Sequence, residues 1–301
     1  MVFDLTRMSL NSEEKMEISV EHIGRKGYPI LIVDNFYRDP EYVMQVAMSI
    51  QYYYSMGDYH LFKLGVYEQS PMLMAQIGVD QSPISDFLYR HWASHYIDSF
   101  EKLQLSEHTT SLFGTIKTAD EAEGVYGFRP RDIGVLLYGV MFLSLFEKES
   151  EGIGFYRNRD VDIEEIISLP LLASLEEKYP QQDPEIIKRV CEMGIYDRFR
   201  ELQDEGKVED YLDLLAWVYE VPPSELMDKM IEKDRMSDRW EQYSFVEKKF
   251  NRLVAFPGFL LHSMEVNCEL GAKESEFENL HQFFMYPWTP VVVNGRRVPL
   301  Q

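Results

Sequence analysis

The chain has 301 residues, of which 45% are hydrophobic, 27% charged and 14% aromatic, and its formal net charge is -21. That length and composition suit one globular unit with a large core, and the negative field disfavours nucleic acid and anionic membranes as partners. Two cysteines, Cys191 and Cys268, are too few for a disulfide framework or a cysteine-based zinc site.

The opening stretch, MVFDLTRMSLNSEEKMEI, has no apolar core of the signal-peptide kind. The longest apolar run, Ile133 to Phe146, is too short to span a bilayer and is broken by Gly134, Gly139 and Ser144. A cytoplasmic protein is the expectation. The 19 Tyr and 18 Phe lean toward β-sheets and an aromatic-walled pocket, although any single one of them reads first as core.

In chain order, Tyr28 to Val33 is a β-type run closed by Asp34-Asn35-Phe36 and the helix-start pair Asp39-Pro40. Glu41 to Ile50 then predicts a helix burying Val43, Val46, Ala47 and Ile50. A second amphipathic helix is predicted over Ser82 to Leu105, with Ile84, Phe87, Leu88, Trp92, Ile97 and Phe100 on its buried face. Strands are predicted at Ser111 to Lys117, Ile133 to Leu145 and Gly154 to Arg159, with an acidic and then glycine-rich loop at Ala119 to Gly127. Residues 160–235 switch to helical periodicity. β-type sequence resumes at Phe250 to His262, read as strand, Pro-Gly turn and strand, and at His281 to Tyr286. The pattern excludes a regular alternating α/β sheet and suits an antiparallel sandwich or barrel dressed with helices. It reads as one domain over residues 1–301 that carries residues 160–235 as a helical insertion. The apolar faces of the insertion, with Leu214, Leu215, Trp217 and Val218, pack on its own barrel or on a second subunit as a homodimer.

Three groups of side chains stand out chemically. Arg157, Arg159 and Arg252 sit inside β-type sequence, where arginine needs a partner. They read either as ion pairs to the chain's own carboxylates or as a clamp for a ligand carboxylate or phosphate, with Tyr138 and Tyr156 supplying hydroxyls. His91 and His95 fall four apart on a predicted helix with Asp98 three further on, a metal-type spacing that also suits a hydrogen-bonded helix face. Strand alternation puts His281, Phe283 and Met285 on one side of their strand and Gln282, Phe284 and Tyr286 on the other, and leaves open which side faces inward.

Four stretches resemble one uncharacterised family of iron and 2-oxoglutarate-dependent oxygenases, relatives of prolyl 4-hydroxylase. They are Ile32-Val33-Asp34-Asn35-Phe36 with Asp39-Pro40; Arg131 to Tyr138 (RDIGVLLY); Gly154-Phe155-Tyr156-Arg157-Asn158-Arg159; and Phe250-Asn251-Arg252-Leu253-Val254 with Pro257-Gly258 and Leu261-His262-Ser263. The third and fourth, in this order, are the more specific, and together the four cover most of the chain outside the insertion.

The resemblance implies an α+β fold with a double-stranded β-helix (jelly roll) core and flanking helices. It also implies Fe(II) and 2-oxoglutarate as cofactors, and oxidation of an amino acid, peptide or small metabolite. It makes His262 the distal metal ligand, and His262 and Tyr156 are the catalytic candidates. The family's His-x-Asp has no counterpart here, since the residues before Pro130 read Glu123-Gly124-Val125-Tyr126-Gly127-Phe128-Arg129. The nearest carboxylates, Asp120 and Glu123, are the substitutes on offer, and they also read as a solvated loop. No arginine stands where the family anchors 2-oxoglutarate; the matching stretch ends in His281. Arg129 and Arg131 lie near the absent His-x-Asp and offer positive charge in place of a metal. The rival expectation is a metal-free relative that binds a ligand or a partner protein.

Overall fold

A computed structural model of the chain describes residues 3–50, 53–54, 72–76, 82–93, 110–116, 137–145, 151–159, 162–165, 201–207, 240–265 and 280–286. Among the described residues there are eleven strands: β1 (Glu17–Ile23), β2 (Tyr28–Asp34), β3 (Tyr53–Tyr54), β4 (Met72–Gln76), β5 (Thr110–Ile116), β6 (Leu137–Phe142), β7 (Gly152–Asn158), β8 (Trp240–Glu247), β9 (Arg252–Pro257), β10 (His262–Glu265) and β11 (His281–Tyr286). They form an eight-stranded sheet in the order β1-β2-β9-β6-β11-β5-β4-β3 and a three-stranded sheet in the order β10-β7-β8. Each pairing is antiparallel. With the helices below this is an α+β protein of antiparallel sheets.

Helix α1 (Pro40–Ser49) begins where the sequence signals it. The Asp39 side chain accepts from the Tyr42 amide at 3.2 Å, Pro40 fills the first turn without losing a bond, and Val43, Val46 and Ala47 are buried. Helix α2 (Ser82–Leu88) widens into a π turn over Tyr89–Ala93, and Trp92 there donates to the Pro29 carbonyl at 2.8 Å. No helix among the described residues is long and apolar enough to cross a membrane.

The two faces of the large sheet have different covers. One lies under the helices and the chain entering α1. There Phe36 packs edge-on against Phe284 and Phe87, and the Tyr37 hydroxyl donates to Gln282 Oε1 at 2.8 Å. The other face carries Tyr138, Phe256 and Phe283 and meets the small sheet, as the Phe155–Phe256 ring contact at 5.1 Å records. Burial on both faces explains why β2 is a continuous apolar run, whereas edge strand β1 alternates exposed and half-buried residues.

Two of the stretches singled out in the sequence lock onto each other. Asn251, at φ 63°, donates from its side chain to the Tyr37 carbonyl and accepts from the Tyr37 amide. Arg252 forks onto Asp34 at 2.6 and 2.9 Å, and Lys249 adds a third bond to the same carboxylate. β2 is thus tied to β9 by side chains as well as by its ladder.

The helical insertion expected from residue 160 does not begin there. Ile163 bridges back to Asn158, and Glu165 bridges to Leu260, so the chain is still sheet-attached at residue 165. A described fragment further on, residues 201–204, is helical, buries Leu202 and ends on Gly206 at φ +67°. The rest of the expected insertion lies outside the described residues.

Two outcomes test this packing. A Cβ on Gly152 would stand 2.1 Å from the Val246 carbonyl oxygen, a backbone atom that cannot rotate away. Gly152→Ala is expected to lower stability by about 1–3 kcal/mol, measured by urea unfolding; an unchanged midpoint would refute the close β7–β8 approach. Burial alone would raise the Asp34 pKa, but the bonds from Arg252 and Lys249 outweigh it and hold the carboxyl below its usual range. Its stabilisation is therefore complete above the ordinary carboxylate range and fades as pH falls through the lowered folded value. Asp34→Asn should cost about 1–3 kcal/mol at neutral pH and much less in strong acid. Parallel stability curves for the two proteins across pH would contradict the assignment.

Candidate functional site

The turn before β10 sets the site. After Pro257-Gly258 the Leu260 amide donates to the Pro257 carbonyl at 3.1 Å. Leu261 is then held on both sides: its amide donates to the Glu164 carbonyl at 2.8 Å, and its carbonyl accepts from the Tyr156 amide at 2.8 Å. This delivers His262, opposite Phe155 in register, onto the inner face between the sheets.

His262 is 5% exposed. Its ring lies 4.8 Å from that of Phe256 and 5.8 Å from that of Tyr138, and Phe283 stacks on Tyr138 at 5.7 Å. Nδ1 sits 2.7 Å from the Leu260 carbonyl oxygen. A carbonyl only accepts, so Nδ1 carries the proton and Nε2 of the neutral ring carries the lone pair. An imidazole fixed through one nitrogen by a backbone carbonyl is the form a metal-binding or proton-accepting histidine takes.

The other sequence candidates separate in space. Tyr138 joins His262 directly. His281 is on the same inner face, beside Phe142 and Phe283, which resolves the alternation left open by the sequence. It is not beside His262, however. Tyr138 is in register with Met285, four residues along β11 from His281, or about 13 Å. Tyr156 lies on the reverse side of the small sheet, over Gly154, where its hydroxyl donates to Glu265. Alternation forces this, because its neighbour Phe155 points inward. Burial first, and then Glu265, push the Tyr156 phenol far up, so it stays protonated and serves as a donor.

The arginines are met by the chain's own carboxylates. Arg252 is held by Asp34 at the His281 end of the inner face. Arg159 is 56% exposed and 4.0 Å from Glu241. Arg157 is 3.1 Å from Glu164 and 5.7 Å from the Tyr243 ring centre. His91 contacts Glu13 at 3.2 Å and packs on Phe87, which is the helix-face reading of that histidine. Arg129, Arg131, Asp120, Glu123, His95 and Asp98 lie outside the described residues.

Glu164 and Tyr243 are site neighbours that the sequence reading passes over. Glu164 sits where residues 160–235 read as helix. Tyr243 is the extra residue of a β-bulge: Ser244 faces Phe155 and Gln242 faces Tyr156, which leaves Tyr243 unpaired between them. The only sequence trace of it was the broken alternation of WEQYSFVE.

A two-histidine, one-carboxylate iron site needs three ligands within one coordination sphere. Among the described residues no group of three His, Cys, Asp or Glu converges in that way. His262 is one candidate ligand, His281 is too distant to be a second, and the side chains of Glu164 and Glu165 turn to Arg157 and Lys26. The described residues do not by themselves make an iron site. Comparison with models of known protein families finds no match for this chain, and comparison with curated proteins finds no significant relative.

The His262 geometry predicts a spectroscopic outcome. Nitrogen-15 NMR at neutral pH should show His262 protonated on Nδ1 with a lone-pair signature on Nε2. A proton on Nε2 instead would refute the Leu260 contact as the orienting bond.

Proposed function

We propose that the chain is a jelly-roll protein of the iron and 2-oxoglutarate oxygenase type, acting on an amino acid, peptide or small metabolite, with His262 at the centre of its site. The observation that carries this reading is the strand order. A jelly roll is one long antiparallel hairpin rolled up, so that successive strand pairs outward from its tip alternate between two sheets. Here β7 pairs with β8 in the small sheet, β6 with β9 in the large one, and β5 with β11 again in the large one. Between the last two steps the small sheet should hold the partner of β10. The chain between Ile116 and Leu137 lies outside the described residues. It is also the stretch that carries Asp120, Glu123, Arg129 and Arg131.

On this reading His262 opens the seventh strand of the roll and faces the inside, held by Leu260 through Nδ1. Tyr138, Phe256 and Phe283 exclude water from around it and give a ligand flat apolar surfaces to lie against. Any further ligands would have to come from outside the described residues. A second reading, a metal-free binding protein of the same fold, is favoured by one observation: the surround of His262 is aromatic rather than carboxylate-rich.

Metal analysis of protein purified without oxygen separates the two. Near-stoichiometric iron is expected, and it should be lost in a folded His262→Ala variant. Iron-free wild-type protein would establish the metal-free reading instead, and iron retained by His262→Ala would remove His262 as a ligand.

A further inference from the structure

We infer that Arg157, Glu164 and Tyr243 form a neutral polar subsite beside His262, built to hold one uncharged group that both donates and accepts hydrogen bonds, such as a primary amide of a ligand. The inference rests on the proposed function in one respect: it takes the inner face around His262 as the place where a ligand lies.

Placement comes first. Arg157 is two residues beyond Phe155, the register partner of His262, and so about 7 Å along the same face. The bulge turns Tyr243 toward it. Glu164 arrives on the segment that pins Leu261. Its Oε2 accepts from the Arg25 amide at 2.9 Å, which fixes the carboxylate. Gly24, at φ +70°, leaves the room: a Cβ there would stand 2.3 Å from that same oxygen.

The hydrogen bonds come next. Arg157 Nε, Glu164 Oε1 and the Tyr243 hydroxyl are each buried without a hydrogen bond. Arg157 Nε is 3.1 Å from Glu164 Oε1, yet off the line that an N–H···O bond needs. Buried polar atoms are almost always satisfied, by protein or by a small guest. Two donors and an acceptor thus belong to one cluster: Arg157 is paired with Glu164, and its guanidinium carbon is 5.7 Å from the Tyr243 ring centre. Burial first, and then Glu164 and Glu165, keep the Tyr243 phenol protonated, so it offers a proton there.

Charge selects the class of guest. Arg157 is already balanced by Glu164, and its neighbours Arg25–Asp162 and Lys26–Glu165 balance each other in the same way. A carboxylate guest would strip Arg157 from Glu164 and leave a buried carboxylate unpaired. A cationic guest would do the same to Arg157. An amide answers both polarities and disturbs neither.

The test uses the full-length chain, with acetamide as probe and acetate and methylammonium as charged controls of similar size, following the Arg157 Nε–H signal by NMR. Acetamide should shift that signal saturably, the two ions should not, and Tyr243→Phe should weaken acetamide binding about fivefold. A saturable response to acetate that matches or exceeds acetamide would overturn the inference, as would an unchanged acetamide affinity in Tyr243→Phe. A crystal structure of the wild-type protein soaked in acetamide provides a check that needs no variant: density within hydrogen-bond reach of all three groups is expected, and side chains closed on one another with nothing between them would refute the subsite. Acetamide at the triad in a protein that binds no iron would end the oxygenase reading and leave the subsite standing. Iron on His262 with no acetamide response would end the subsite alone.

Discussion

The site depends on four buried hydrogen bonds around Leu260 and Leu261. Both residues are fully buried, and their backbones are used on every side: by Pro257 within the turn, by Tyr156 on β7, by Glu164 on the returning chain and by the His262 ring. Each such bond adds only about 1 kcal/mol net, but an unmet partner in this interior costs about 1–3 kcal/mol. The arrangement therefore stands or falls as a unit. It fixes three things at once: the direction of the His262 ring, the inward turn of Phe155 and the approach of Glu164 to Arg157. A rigid imidazole is available because ordinary sheet bonds already hold the peptide that orients it.

The acidic composition acts inside the molecule as well as on its surface. Among the described residues, cations drawn into the interior carry carboxylates: Arg252 on Asp34, Lys248 on Glu151 at 2.5 Å, Arg157 on Glu164. An unpaired buried guanidinium would be costly, and a chain with 51 acidic residues can supply partners from within. This bears on function. An arginine that meets a ligand carboxylate must be held without a resident countercharge until the ligand arrives, and none of Arg157, Arg159 and Arg252 is. The inner face instead presents aromatic surface, the imidazoles of His262 and His281, and a charge-balanced polar cluster.

The elements with one strong cause were legible in the sequence. β2 is a strand because six apolar residues in a row can be buried on both faces, and α1 starts at Asp39-Pro40 because a carboxylate cap and a proline suit only a helix start. The inward place of His262 could be expected from a Pro-Gly turn ending an apolar strand. What escaped has a shared reason. β8 and the edge strand β1 carry weak or interrupted alternation, and pairing partners far away in the chain hold them in the sheet. Tyr156 sits next to an inward residue and so must point out, yet nothing local tells which of the two neighbours is inward. Arg252 and Asp34 are 218 residues apart, so no window of sequence shows that they fork onto each other. Pairwise chemistry at long range is where reading along the chain stops.

The same long-range pairing explains why the polar cluster and the imidazole are neighbours at all. Strands paired in one sheet bring residues distant in sequence side by side. β7 is the central strand of the small sheet, paired with β8 on one side and with β10 on the other. Arg157 on β7, Tyr243 on β8 and His262 on β10 are therefore brought to one end of one small sheet by topology alone. The bulge then turns Tyr243 inward, and the early part of the helix-patterned segment adds Glu164. On the strands, Arg157 and His262 could not be moved by one residue without changing face.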